Sequence, residues 1–276
     1  MGPLVVLHFR VVHNISMNQI VVRRFAKASL LLLGLFFLFV PSATAQGIPV
    51  LLYHHVNDQE TGRSLLTVST AEFSRQLQLL RNHGFQTITP EQLGAFMREE
   101  QVTLPDKPVL ITFDDGHTDN YTQAFPLLKG AGYSATIFMV GINFDRANRL
   151  TSAQIRKMTA NGFSIGAHSM THPILTKLNA PKLQAEIRGS KKKAEEVIHA
   201  EVGYFAYPGG FYNLATVEAV QMAGFQGAFS VLSGLNQPNR DNIYLLRRIP
   251  IFRYTDFDQL LEKLIEPPSK PSLLDY

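Results

Sequence analysis

The sequence predicts an α/β fold in which one large domain is organised around a parallel sheet. Three observations carry that expectation. Short apolar runs of strand type alternate with amphipathic helical segments throughout the chain beyond Ala45. No Pro- or Ser-rich linker interrupts the alternation before Glu266-Pro-Pro-Ser-Lys-Pro271. The 276 residues are 45% hydrophobic, enough for a substantial core and incompatible with a disordered or fibrous chain. Repeated strand–helix units lay successive strands parallel. An open doubly wound sheet and a closed barrel share this pattern, and no glycine-rich phosphate loop follows the first strand.

The elements follow in order. Ile48 to Tyr53 reads as the first strand. Ser69-Thr-Ala-Glu72 has the form of a capping box opening a helix that carries Phe73, Leu77 and Leu80 on one face and closes near Gly84. Phe85 to Ile88 is the second strand, and Thr89-Pro-Glu-Gln92 starts a helix with proline at its first position. The alternation continues with strand Val109 to Phe113, a helix around Tyr121 to Lys129, strand Ala135 to Val140, helix Thr151 to about Ala160 and strand Phe163 to Ala167. A charged helix from Pro181 to about Val197 precedes strand Tyr204 to Tyr207 and helix Leu214 to Met222. Strands Gly227 to Ser230 and Tyr244 to Ile251 and a last helix from about Thr255 complete the series.

Residues 1–45 stand apart as a secretory leader. Arg23, Arg24 and Lys27 precede an apolar run from Leu30 to Val40, followed by a small-residue cleavage site, Ala43-Thr-Ala45. The run is too short to cross a hydrocarbon core, which needs roughly 20 residues. Met17 begins a more conventional leader than Met1 does. The expected mature chain, 46–276, is a single secreted or periplasmic domain with no stable membrane span. Four of the 26 basic residues lie in the leader and none of the 22 acids does, so the mature chain has balanced charge and no basic stripe for nucleic acid. With no cysteine, the fold relies on its core rather than on disulfides, and any metal site must use His, Asp and Glu.

The metal-competent residues fall at strand ends. Asp114-Asp115-Gly116 follows the strand Val109 to Phe113, and His168-Ser-Met-Thr-His172 follows the strand Phe163 to Ala167. In parallel α/β folds the C-terminal strand ends form the active-site face. Alone, Asp-Asp-Gly is a common turn or helix cap, and His-x-x-x-His is as often a surface pair as a ligand pair. Together on one face they point to a metal. Adjacent aspartates diverge, so one can bind an ion while its neighbour acts as a base. Histidines four apart can reach one ion from a single helical turn. One carboxylate and two imidazoles leave coordination positions open, as a catalytic site requires. A zinc metalloprotease would place glutamate after the first histidine, where this chain has Ser169. No Gly-x-Ser-x-Gly elbow marks a serine esterase.

Thr112-Phe-Asp-Asp-Gly116 and His168-Ser-Met-Thr-His172 resemble the first two motifs of the polysaccharide deacetylases, the family 4 carbohydrate esterases with a NodB homology domain. Phe205-Ala-Tyr-Pro-Gly-Gly210 stands where that family has its third motif. The spacing, and Leu51-Leu-Tyr-His-His-Val56 at the first strand, resemble the branch containing poly-N-acetylglucosamine deacetylases. The resemblance spans Ile48 to about Leu264. It implies a distorted (β/α) barrel of about seven parallel strands in a single domain. It further implies hydrolytic removal of N-acetyl groups from an acetylated amino-sugar polysaccharide, with zinc or another divalent transition metal. Peptidoglycan, chitin-like oligomers and O-acetylated xylan are alternative substrates, and a catalytically silent carbohydrate-binding protein is the alternative of another class. By position, Asp114 would be the general base, Asp115, His168 and His172 would hold the metal, and the Gly209 N–H would stabilise the oxyanion.

The chain departs from the family pattern twice. Many members carry an arginine two residues before the third-motif proline, paired with the catalytic aspartate; here that position is Ala206. Arg247 or Arg248 could replace it, and on an alternating strand only one faces inward; Arg248 is the residue expected. Members commonly take the general acid from a late histidine, whereas none follows His199 here. His54 and His55 are the candidates, with His117 behind them, and His55 is the residue chosen.

Overall fold

A computed structural model describes Gly2 and residues 47–58 and 65–265; the leader expected at 1–45 and the tail from Glu266 fall outside them, apart from Gly2. The described fold belongs to the unit Ala43–Tyr276. In chain order it comprises β1 (Val50–Tyr53), β2 (His55–Val56), β3 (Thr67–Val68), α1 (Thr70–Asn82), β4 (Phe85–Thr87), α2 (Pro90–Met97), β5 (Lys107–Asp114), α3 (Phe125–Ala131), β6 (Thr136–Met139), α4 (Ser152–Thr159), β7 (Ser164–Ala167), α5 (Ala180–Ile198), β8 (Tyr204–Ala206), α6 (Leu214–Met222), β9 (Gly227–Phe229), β10 (Ile249–Pro250) and α7 (Phe257–Ile265).

Seven strands run in the order β10-β1-β5-β6-β7-β8-β9, and β4 adds to the start of β5 through the register Phe85↔Lys107. The pairings along this path are parallel, and the sheet curls into a half-barrel, consistent with the distorted barrel expected. Between β9 and β10 the curl is bridged by the parallel contact Phe229↔Leu246, where Leu246 donates to Ala228 O at 2.8 Å.

Strand alternation sorts side chains into two layers. Leu51, Tyr53, Val109, Ile111, Phe113, Ile137, Met139, Ile165 and Phe205 pack outward against the helices. Val50, Leu110, Phe138, Tyr204, Ala206 and Phe229 fill the concave side. By the same period, Asp114 belongs with Leu110 on the concave side, and His168, one residue past Ala167, turns the same way.

Helix starts follow their caps. Thr89 and Gln92 form a full capping box, as do Thr151 and Gln154. Ser69 accepts from the Glu72 N–H, but Glu72 turns its carboxylate to Arg75 and Gln76, so this box is only half made. Two expectations need correction. The helix around Tyr121 begins as a π-turn, Asn120–Ala124, before Pro126 near the start of α3. The strand expected over Tyr244 to Ile251 is a 3₁₀ turn, Ile243–Leu245, followed by the two-residue β10: the Asn242 side chain accepts from the Tyr244 N–H and caps the turn, and Pro250 has no N–H for a longer ladder. Among the described residues, no helix is long and apolar enough to cross a membrane.

Candidate active site

Strand β5 delivers its last residue, Asp114, into the concave side, where it is 3% exposed. Asp115 and Gly116 then take left-handed conformations, φ 72° and 70°. That reversal turns the second carboxylate away from the first. A Cβ on Gly116 would sit 2.2 Å from Met139 Sδ, so the turn requires glycine both for its φ and for its room.

From β7, the His168 N–H donates to Met139 O at 2.9 Å, and its Nδ1 lies 2.8 Å from Ala206 O. A carbonyl only accepts, so Nδ1 carries the proton and Nε2 offers a lone pair, 3.7 Å from Asp115 Oδ1. Burial pushes the His168 pKa down, against the opposing pull of Asp114 and Asp115, which favours the neutral ring a ligand needs. His172 does not share a helical turn with His168. Ser169 and His172 are left-handed, φ 59° and 62°, and the intervening loop is tied by the His172 N–H to Ser169 Oγ at 3.0 Å. Glu186 on α5 accepts from both the Thr171 N–H and its hydroxyl. The loop brings His172 Nε2 to 3.5 Å from Asp115 Oδ1. One ligand atom each from Asp115, His168 and His172 thus falls within 4.8 Å of the others. Two imidazole nitrogens and one carboxylate oxygen at this spacing fit a divalent transition ion with positions left for other ligands.

Asp114 is held differently. Arg248 Nη1 and Nη2 donate to its Oδ1 and Oδ2 at 2.7 and 2.9 Å, a bidentate pair with Arg248 fully buried. The guanidinium is fixed in turn by Nε donation to Ser230 O at 2.9 Å and lies over the Phe138 ring. Burial would raise the Asp114 pKa, but Arg248, His168 and His54 outweigh it, and the carboxyl stays below its usual range. Arg247 points elsewhere, its Nε donating to Asp241 Oδ1 at 2.7 Å.

The histidines after β1 diverge. His54 lies in the field of Asp114, Asp115, Arg248 and His168, and burial lowers its pKa. His55 has its Nδ1 2.7 Å from Asp119 Oδ2, and its ring lies tilted against that of His117, 3.6 Å between centroids. His54 thus lies among the charges of the aspartate pair, and His55 pairs with Asp119. Gly209 adopts φ 60° in a tight turn after β8, where a Cβ would press on the Phe211 ring at 3.0 Å.

Sequence reasoning singled out neither Asp119 nor Asn120, which link the first strand to the Asp-Asp-Gly turn: Asn120 accepts from the His117 N–H at 3.1 Å and donates to His54 O at 2.8 Å. Their short offset from Asp115 was the available signal. Glu186, Asn143 and Arg149 come from distant segments and carry no local pattern.

Residues 101–228 match the family model for polysaccharide deacetylase. A Bacillus subtilis protein named for polysaccharide deacetylase, YxkH, is 35% identical over 205 residues, covering 74% of this chain and 71% of that protein. The poly-β-1,6-N-acetyl-D-glucosamine N-deacetylase of Staphylococcus epidermidis is 28% identical over 197 residues, 66% of this chain and 67% of that protein. Among solved structures, the Streptococcus pyogenes deacetylase PplD in complex with acetate superposes with a TM-score of 0.73 at 27% identity, covering 79% of this chain and 98% of that one.

Proposed function

The chain belongs to the polysaccharide deacetylase family, and from that premise we propose that this deacetylase is metal-dependent and hydrolyses N-acetyl groups on an N-acetylglucosamine polysaccharide. One observation carries the reading: a three-ligand cluster beside a buried carboxylate clamped by arginine. Similarity to the S. epidermidis enzyme supports the polymer class.

In this reading Asp115, His168 and His172 hold the ion. When bound, a divalent ion acidifies water and polarises the acetamide carbonyl. Asp114, kept ionised and in one rotamer by Arg248, receives the proton of the attacking water on a carboxylate oxygen. The Gly209 N–H lies in the third-motif turn as donor to the developing oxyanion. The amine leaves with a proton from a histidine after β1. His55 is the residue expected from sequence, and His54, next to it and in the field of both aspartates, is the other candidate. His54→Ala and His55→Ala separate the two, because only loss of the acid lowers turnover on an N-acetyl substrate with its poor leaving group.

Export through the leader at 1–45, with a mature domain from Gln46, belongs to the same proposal; amino-terminal sequencing of protein from its host should begin near Gln46. Acetate release is the functional test. Oligomers of β-1,6-linked N-acetylglucosamine should yield acetate, chelation should stop it and a divalent transition metal should restore it. Release from O-acetylated xylan alone would contradict the proposed substrate.

A further inference from the structure

His117 packs against the His55 ring, yet the reaction as proposed leaves it without a role. We infer that His117 and Arg149 form a positioning pair that aims the Asp115 carboxylate at the ion, an inference that rests on the metal reading above. Asp115 is a non-glycine residue held at φ 72°, and its carboxylate serves the site only if one oxygen faces the two histidines. That oxygen is Oδ1, 3.7 Å from His168 Nε2 and 3.5 Å from His172 Nε2. The other, Oδ2, lies 3.3 Å from His117 Nε2.

The direction of that contact is set from behind. Arg149 Nη1 is 2.9 Å from His117 Nδ1 and 3.3 Å from Nε2. A guanidinium only donates, so Nδ1, the nearer nitrogen, is the acceptor and the ring proton sits on Nε2. Nε2–H then donates to Asp115 Oδ2, and a chain of donors runs from Arg149 through His117 to the proposed ligand. The backbone is fixed with it: Asn143 Nδ2 donates to Asp115 O at 3.1 Å, and the bridge His117↔Arg149 sets the two residues in register. Thr118 Oγ1 donates to Arg149 O at 3.0 Å. With both nitrogens engaged and the side chain 13% exposed, His117 is placed to orient rather than to exchange protons with substrate.

The test is a zinc titration of the metal-free full chain against a chromophoric chelator, with melting temperatures in parallel. His117→Ala should weaken zinc affinity by about 10- to 100-fold, the usual cost of losing such a partner. His117→Gln, whose amide can still donate, should recover most of that loss. Arg149→Met should weaken affinity by a smaller factor and release the ring from a single tautomer, read from the His117 ring nitrogen shifts. Wild-type affinity in His117→Ala, even with a lowered melting temperature, overturns the pairing. So does Arg149→Met with both affinity and tautomer unchanged. A wild-type chain that takes up no zinc overturns the metal reading and the pairing with it.

Discussion

Asp114 and Asp115 are neighbours in sequence and occupy opposite kinds of site. Asp114 ends a strand, is 3% exposed and spends both oxygens on one guanidinium. Asp115 begins a left-handed turn, keeps 23% of its side chain exposed and faces imidazoles. The first arrangement suits a group that must stay ionised in one rotamer; the second suits a group that shares its charge with an ion. A single backbone reversal after β5 separates the two carboxylates and, in the proposed reading, would let one dipeptide take both roles.

The largest effect should come from breaking the Asp114 side. Asp114→Asn keeps the shape but removes the proton acceptor, and turnover should fall by about 100- to 10,000-fold while metal content stays normal. Near-normal acetate release by a folded Asp114→Asn chain would remove the distinction between the two aspartates.

Arg248→Ala leaves a buried carboxylate without its partner, which costs roughly 3–5 kcal/mol in stability. Denaturant melts of the variant give that number directly. Arg248→Lys should recover little activity, since an ammonium cannot make two parallel bonds. The pair also has a pH signature. Because the folded Asp114 carboxyl lies below its ordinary value of 3.8, the pair's contribution is fully present above that value and is lost as pH falls through the lower folded value. In Arg248→Ala burial acts on the Asp114 carboxyl without that guanidinium and raises its pKa relative to wild type. The difference in stability between wild type and Arg248→Ala should therefore be largest at high pH and shrink as acid protonates the variant's carboxyl; a difference that grows as pH falls contradicts the assignment.

The smallest effect belongs to the Asp115 side. Ser169→Ala removes the acceptor for the His172 N–H, a bond of about 1 kcal/mol, so metal affinity should weaken by about fivefold with turnover of the filled enzyme little changed. Loss of turnover without loss of metal would place Ser169 in the chemistry instead.

Much of this was legible in the sequence, for identifiable reasons. The βα order and the strand ends at Asp114 and His168 follow from periodicity, which is local. The inward parity of Arg248 is equally local, although the strand expected to carry it shrank to two residues beside the Asn242-capped turn. The loop of His168 and His172 was misread as helical because spacing cannot reveal that Ser169 and His172 sit at positive φ, a conformation supported by Glu186 from α5. The different settings of the two adjacent histidines were likewise hidden: His55 opens β2 and pairs with Asp119, while Asn120 donates to His54 O, contacts that no local pattern announces.

The central claim is that Asp115, His168 and His172 hold one catalytic ion while Asp114 does not. Metal content per chain, measured after chelation and refilling alongside acetate release, tests it most directly. Wild type and Asp114→Asn should each bind about one divalent ion with only wild type active, whereas His168→Ala and His172→Ala should bind far more weakly and lose activity. Wild-type metal content and acetate release in His168→Ala and His172→Ala would contradict the account.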